Sequence, residues 1–163
     1  LPALEKQYQN NRPFHFLLCG ANPQDRDYEN RIRQQIRTAA WHEQATISGF
    51  VGGELKAQIL SAAAVFVLPS YYENFGIAVA EAMAAKIPVI ISDQVHIWPA
   101  IEENEAGWVV PTEVKPLAEA LSVALADGEE RERRGENAHR CAAEKYGWPS
   151  IARRLVGKYQ TLV

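Results

Sequence analysis

Residues 65–91 read VFVLPSYYENFGIAVAEAMAAKIPVII and contain the clearest pattern of alternating strand and helix in the chain. The apolar run at 65–68 is short and ends at Pro69, which is typical of a buried strand. A polar loop follows, and a helical segment at 77–85 leads into a second apolar run at 89–91. A strand, a helix and a strand in this order predict a βαβ unit with parallel strands that are buried on both faces.

The same alternation extends over most of the chain. Apolar runs recur at 14–19, 46–50 and 108–110, and helical segments lie at 28–43, 54–63 and 97–103. Three further helices are predicted at 115–126, 129–146 and 149–162. This pattern predicts an α/β fold, a doubly wound parallel sheet of about five strands with helices on both faces and a helical C-terminal third.

The first residues are predicted to be the end of a helix. Leu4 and Tyr8 fall on one helical face of residues 1–11, which lead into the strand that contains Phe14. In a doubly wound sheet such a helix follows an earlier strand. We therefore expect the chain to begin inside a domain and to lack the first strand of that domain.

Composition narrows the class of protein. The chain has 163 residues, 47% of them hydrophobic, which suits one globular domain. A net charge of −3 argues against general binding to nucleic acid, and no apolar run approaches the roughly 18 residues of a membrane helix. Cys19 and Cys141 show no metal-binding spacing, so reduced thiols and a cytoplasmic location are expected, with Cys19 buried in its strand.

The loop before the helix at 77–85 is the first candidate for a binding site. Ligands of open α/β sheets bind outside the carboxyl ends of the strands. A helix N-terminus at that edge offers free N–H groups to an anion, and Gly76 would let the backbone approach it closely. The pattern therefore predicts a phosphate site at residues 74–77.

Two glutamates flank that site, Glu73 in the loop and Glu81 in the helix. Ionised carboxylates only accept hydrogen bonds, so they suit the hydroxyl groups of a sugar and a ribose. The alternative is that Glu73 complements the helix dipole and Glu81 is a solvated surface residue. Spacing alone favours this alternative slightly.

The segment PSYYENFGIAVAEAMA has seven residues between Glu73 and Glu81, and it resembles the E-x7-E signature of glycosyltransferase family 4 (GT4). Further segments resemble that family in the same order: SGFV at 48–51, PVIIS at 88–92, AGWVVP at 106–111 and YGW at 146–148. The resemblance covers essentially the whole chain. It implies the C-terminal, donor-binding half of a retaining nucleotide-sugar glycosyltransferase of the GT-B fold, which is Rossmann-like.

The resemblance also implies roles for individual residues. Glu73, the catalytic candidate, would bond hydroxyls of the donor sugar, and Glu81 would hold the ribose hydroxyls of the nucleotide. The backbone that would face the diphosphate and the sugar belongs to Asn74, Phe75, Gly76 and Ile77. Val51 and Leu55 would flank the base, and Gly20 would lie at the same edge after the first strand.

The implied activity is transfer of a glycosyl group to a hydroxyl acceptor with retention of configuration, in polysaccharide biosynthesis. A UDP-sugar is the first expectation for the donor, with a GDP- or ADP-sugar as alternatives, and no metal or other cofactor is expected. Expected partners are the N-terminal domain of the same enzyme and a sugar or lipid-linked acceptor. The fragment alone is expected to be inactive, and the full-length protein could be peripheral to a membrane.

The chain departs from the family pattern in three places. CGANP at 19–23 replaces Gly-x-Gly-Pro, where Asn22 could adopt the left-handed conformation, and Lys86 replaces a glycine. The family's Arg-x4-Lys pair, which neutralises the diphosphate, has no counterpart here and is expected upstream of Leu1.

Two other functions also fit the sequence. A non-catalytic, flavodoxin-like nucleotide-binding module is the main alternative, and a nucleotide-sugar epimerase of similar fold is a second. Lys56 is a weak candidate for a phosphate contact, and His96 is expected to be a partly buried loop residue. Trp41 and Trp148 are expected to pack against other side chains rather than stack on a base.

Overall fold

The computed structural model describes residues 1–161, and their elements follow the predicted order closely. The strands are β1 (Phe16–Cys19), β2 (Ala45–Gly49), β3 (Phe66–Leu68), β4 (Val89–Ser92) and β5 (Gly107–Val110). The helices are α1 (Pro2–Gln9), α2 (Arg26–Thr38), α3 (Gly53–Ala62), α4 (Ile77–Ala84), α5 (Trp98–Glu103), α6 (Val114–Ala126), α7 (Gly128–Lys145) and α8 (Trp148–Gln160). A 3₁₀ turn, His42–Gln44, follows α2. Leu162, the predicted end of the last helix, lies outside the described residues.

All strand pairings are parallel, as predicted. β1 pairs with β2, and β3, β4 and β5 pair in that order. The five strands do not form one continuous ladder, however: they form a two-stranded and a three-stranded sheet, and within residues 1–161 no ladder joins β1 to β3. Alternation of strands and helices predicts parallel pairing, but it carries no information on which strands are neighbours.

Helices cover both faces of the three-stranded sheet, which confirms the doubly wound architecture. β4 is fully buried along its length. One core contains Met83 of α4, Ile91 of β4 and Ile101 of α5, together with Cys141 of α7. A second core contains Ile90 of β4 with apolar side chains of α1 and α6, among them Ala3, Leu121 and Ala124. Successive residues of β4 thus face opposite cores, as the pleat of a strand requires.

The two-stranded sheet is less completely covered. Residues of β1 alternate between half-buried and exposed, and Cys19 is exposed. The prediction of a buried Cys19 is therefore wrong, because it falls on the open face of a sheet that packs on one side. Trp41, only 2% exposed, packs against Phe14 and Phe16, which confirms its expected structural role.

The C-terminal helices differ in how they are held. α7 packs closely on the end of α4: a Cβ on Gly135 would lie 2.3 Å from the backbone oxygen of Lys86. α8 has no buried residue, and Trp148 at its start is 82% exposed. The prediction that Trp148 packs is therefore wrong, because it begins a helix that lies on the surface beside α7 and buries none of its own side chains. No helix within residues 1–161 is both long and apolar enough to cross a membrane.

Candidate functional site

The N-terminus of α4 has the geometry that the sequence predicts. Gly76 is the N-cap residue, with a φ of 81°, and no side chain caps the helix. A Cβ at Gly76 would lie 3.1 Å from both Val79 Cγ2 and Val95 Cγ1. Only glycine fits this position without strain, and the N–H groups of the first turn of α4 are left without a side-chain acceptor. Such an end favours an anion.

Glu73 is fixed beside Gly76 by backbone pairing with the loop after β4. Its N–H donates to the carbonyl oxygen of Gln94 at 3.2 Å, and its own carbonyl oxygen accepts from the N–H of His96 at 3.1 Å. Glu73 Cγ lies 3.6 Å from the position that a Cβ on Gly76 would take. The half-buried side chain of Glu73 therefore lies next to the start of α4. No local sequence pattern announces this pairing between loops about 20 residues apart.

Glu81 lies in the second turn of α4 and forms an ion pair with Lys56 of α3. Lys56 Nζ is 2.6 Å from Glu81 Oε1, and the two side chains are 39% and 37% exposed. Glu81 is thus partly exposed and held in an ion pair with a neighbouring helix. The sequence does not predict this contact, and it offers Lys56 only as a weak candidate for a phosphate contact.

The residues between the two glutamates are held by aromatic side chains. Phe75 makes an edge-to-face contact with Tyr146 at the end of α7, with ring centroids 5.3 Å apart and planes at 87°. Burial raises the pKa of Tyr146 above its ordinary value. Asn74 Oδ1 accepts from the Tyr72 hydroxyl at 3.1 Å, and Ile77 is exposed. The segment 74–77 is therefore held by contacts of Phe75 and Asn74, and its end at Ile77 is exposed to solvent.

The turns after β1 and β2 lie at the carboxyl ends of their strands. The N–H of Gly20 donates to the carbonyl oxygen of Gly49 at 2.7 Å, and Gly20 has a φ of 123°. Val51 is half-buried before α3, and Leu55 is exposed in its first turn. Lys56, which follows Leu55 on α3, ties this turn to Glu81, whereas Gly20 contacts neither glutamate by a hydrogen bond among the described residues.

The turn after Gly20 differs from the expectation. The left-handed residue is Gly20, and Asn22 is not in that region. Asn22 instead acts through its side chain, because its Oδ1 accepts from the N–H of Asp25 at 3.1 Å. Its own N–H donates to Glu29 Oε2 at 2.8 Å. An asparagine can close a turn in this way without a positive φ, so the left-handed conformation that Asn22 could tolerate is not used here.

Other features carry less chemistry. His96 is exposed rather than partly buried, because only its backbone joins the pairing with Glu73. A groove between α1 and α6 is lined by Lys6, Gln7, Lys115 and Glu119, among others, and shares no residue with the α4 site. Within residues 1–161, no three His, Cys, Asp or Glu side chains come together as metal ligands would.

Comparison with known proteins identifies the family. Residues 1–140 match the family model of "Glycosyl transferases group 1". The chain belongs to this family. A curated member of similar sequence is an alpha-D-kanosaminyltransferase of Streptomyces kanamyceticus, 32% identical over 155 residues, which are 94% of this chain and 39% of the relative.

Solved structures agree with this membership of the glycosyl transferases group 1 family. A sucrose-phosphate synthase from Thermosynechococcus elongatus superimposes with a TM-score of 0.83 and 30% identity, over 99% of this chain and 41% of that one. The Anabaena protein HepE, solved in complex with UDP, superimposes with a TM-score of 0.84 over 98% of this chain and 43% of that one. At 21% identity, HepE bears on the fold alone.

The family resemblance that the E-x7-E segment indicated is thereby confirmed, and the chain has the C-terminal domain of a GT-B glycosyltransferase fold. Its relatives are named as glycosyltransferases, which favours a part of a transferase over a flavodoxin-like module or an epimerase. The chain spans about two fifths of the length of the relatives compared above.

Proposed function

We propose that this chain binds the nucleotide-sugar donor of a retaining glycosyltransferase that transfers a glycosyl group to a hydroxyl acceptor. The observation that carries the proposal is the uncapped N-terminus of α4, with a carboxylate on either side of its first turns. Glu73 is fixed beside the N-terminus of that helix, and Glu81 lies one turn further along it. An anion flanked by hydroxyl groups complements this arrangement, and a nucleoside diphosphate sugar is such a ligand.

The two carboxylates take different parts of the donor in this proposal. Glu81 accepts hydrogen bonds from the ribose hydroxyls, and Val51 and Leu55 flank the base. Glu73 accepts from hydroxyls of the sugar, and the backbone of Asn74, Phe75, Gly76 and Ile77 faces the diphosphate. Gly20 lies at the margin of the site, after β1. The exposed face of Leu55 and the half-buried Val51 suit the edge of a flat base.

Departure of the diphosphate is the step for which charge stabilisation matters most. In our proposal the N–H groups of α4 stabilise the leaving oxygens electrostatically, and no metal or other cofactor takes part. We propose a UDP-sugar as the donor, because the resemblance to the family makes it the first expectation. GDP- and ADP-sugars are the alternatives that the test below distinguishes.

We also propose that a further domain binds the sugar or lipid-linked acceptor, and that a strand preceding α1 completes the sheet. α1 packs against α6, and both helices belong to the apolar cluster that also contains Val67 of β3 and Ile90 of β4. The chain then continues into β1, which belongs to the other sheet. A right-handed crossover through α1 would start from a parallel strand between β1 and β3.

Ligand binding by the full-length protein tests the proposal. Thermal shift and titration calorimetry would compare UDP, GDP, ADP and FMN with the wild type and with Glu81→Gln. We expect one nucleoside diphosphate to stabilise the protein and Glu81→Gln to weaken its binding by roughly 10-fold, the loss of about 1.4 kcal/mol. Glu119→Gln, on the exposed face of α6, is the control. Stabilisation by FMN alone, or an unchanged Glu81→Gln, would overturn the proposal.

A further inference from the structure

Lys56 is a cation next to the proposed donor site, and the proposed function gives it no role. It lies on α3, and its Nζ meets Glu81 Oε1 of α4 at 2.6 Å across 25 positions of sequence. Glu81 thereby has one oxygen bound by an ammonium group, while no hydrogen bond from a described residue occupies Oε2. A carboxylate with one oxygen bound by an ammonium group is held in one orientation, and its other oxygen can still accept hydrogen bonds from a ligand.

The position of α3 makes this contact more than a surface ion pair. α3 has no buried residue. Its later half is anchored by Leu60, which packs on the core around α4, and by Ala63 just beyond its end. Its first turn has no side-chain cap, and the Lys56–Glu81 pair connects that turn to α4. The pair therefore fixes both the carboxylate of Glu81 and the turn that carries Leu55.

From this geometry we infer that Lys56 is a positioning residue for the ribose of the donor and acts through Glu81. This inference rests on the proposed function, because it assumes that Glu81 receives ribose hydroxyls. Lys56 holds Glu81 Oε1, which leaves Oε2 and the remaining lone pair of Oε1 directed to the ligand. Without Lys56 the side chain of Glu81 would sample several rotamers. Binding of the ribose would then cost the conformational entropy of fixing that side chain, and affinity would fall.

The test compares binding of UDP and 2′-deoxy-UDP to the full-length protein, for the wild type, Lys56→Met, Lys56→Arg and Glu81→Gln. The wild type should bind UDP more tightly than the deoxy nucleotide. Lys56→Met should weaken UDP binding by about 5-fold, the upper range for a half-exposed ion pair. It should weaken binding of the deoxy nucleotide less, because that nucleotide keeps only one of the two ribose hydroxyls. Lys56→Arg should recover most of the difference.

A double variant separates action through Glu81 from a direct contact. If Lys56 acts through Glu81, Lys56→Met combined with Glu81→Gln should bind UDP no worse than Glu81→Gln alone. In turnover assays, Lys56→Met should raise KM for the donor and leave kcat unchanged, since the ribose does not change at the reacting centre. A merely structural lysine would lower both nucleotide affinities together.

Lys145→Met is a matched control outside the site. Lys145 of α7 pairs with Glu103 of α5 at 2.7 Å, and its side chain is 37% exposed, close to the value for Lys56. This variant should change neither nucleotide affinity. Equal losses for UDP and 2′-deoxy-UDP with Lys56→Met would assign Lys56 to the phosphates, and tighter binding would make it a competitor of the ribose. Either result overturns the inference, whereas a wild type that binds no nucleotide would overturn the proposed function itself.

Discussion

At the scale of single residues, Glu73 and Glu81 should differ in kinetic signature although both are glutamates near one helix. In the full-length enzyme, Glu81→Gln should raise KM for the donor and leave kcat nearly intact, because the ribose is bound alike in the ground and transition states. In the proposed function Glu73 faces the sugar that becomes oxocarbenium-like, so its contribution should grow toward the transition state. Glu73→Gln should lower kcat roughly 100-fold, for a cost of about 3 kcal/mol.

Donor-saturation kinetics at fixed acceptor measure this difference, with a melting curve for each variant to confirm folding. The backbone pairing of Glu73 with Gln94 and His96 does not involve its side chain, so the glutamine variant should keep the loop in place. An effect of Glu73→Gln on KM alone, or of Glu81→Gln mainly on kcat, would reverse the two roles. If both variants behave like the wild type, the donor does not bind at the N-terminus of α4.

Lys86 offers a residue-scale prediction about stability. Its φ of 64° confirms that it occupies the left-handed position where the family pattern has glycine. A non-glycine residue there costs about 1 kcal/mol. Lys86 also pairs with Glu136 at 2.7 Å, but both side chains are more than half exposed, so the pair contributes little. Lys86→Gly should therefore raise Tm by about 1–3 °C.

The control for Lys86→Gly is Glu136→Gln, which removes the same ion pair and leaves the backbone unchanged. It should lower Tm slightly or not at all. If Lys86→Gly melts below Glu136→Gln, the left-handed conformation carries no measurable strain at this position. Gly135 would be a poor choice for comparison, because a Cβ there would meet the backbone oxygen of Lys86.

At the scale of elements, an ion-pair cluster joins α7 to β5. Glu130 bonds Arg133 and Arg134, and the guanidinium of Arg134 lies 4.7 Å from the ring centre of Trp108 while it donates to the carbonyl oxygen of Gly107. Hydrogen bonds from Arg133 first, and then from Arg134, lower the pKa of Glu130 to about 2.

A carboxyl group whose pKa is depressed on folding stabilises the protein above its unfolded pKa, and this contribution is lost as pH falls toward the folded pKa. For Glu130 the window runs from its ordinary value of 4.5 down to about 2. Glu130→Gln should cost about 1 kcal/mol at pH 7, after allowance for solvent screening of a quarter-exposed side chain. Melting curves at pH 7, 4 and 3 should show the gap to wild type narrowing, and a constant gap would contradict this.

The strands and helices also show which structural features can be predicted from the sequence. Apolar runs and helical periodicity located strands such as β4 because buried parallel strands are continuously apolar. Burial of single residues was predicted less well: Cys19 and Trp148 are exposed because their elements pack on one side or not at all. At the site, the motif placed Glu73 and Glu81 on α4 and its loop. The pairing of Glu73 with Gln94 and of Glu81 with Lys56 joins distant segments, so no local pattern encodes it.

At the scale of the whole molecule, the present chain by itself should bind nucleotide weakly and transfer no sugar. The proposed donor site offers helix N–H groups to the diphosphate, whereas the resemblance implies two further cations from outside the chain. Two charge-assisted hydrogen bonds of ~1.5–3 kcal/mol each correspond to roughly two to four orders of magnitude in affinity. Titration of UDP and a radiolabelled transfer assay on this chain check the expectation. Robust transfer by these 163 residues alone would contradict it.

The division of the strands into two sheets has a consequence for handling the chain in solution. Within residues 1–161, β1 and β3 each have one edge without a neighbouring strand, and both are short, apolar and free of charged residues. Such edges are templates for pairing between molecules. The isolated chain should therefore self-associate as its concentration rises, which light scattering after size-exclusion chromatography would detect. Leu17→Lys, a charge on the exposed part of β1, should reduce this association. Val123→Lys, a similar change on exposed α6, should not.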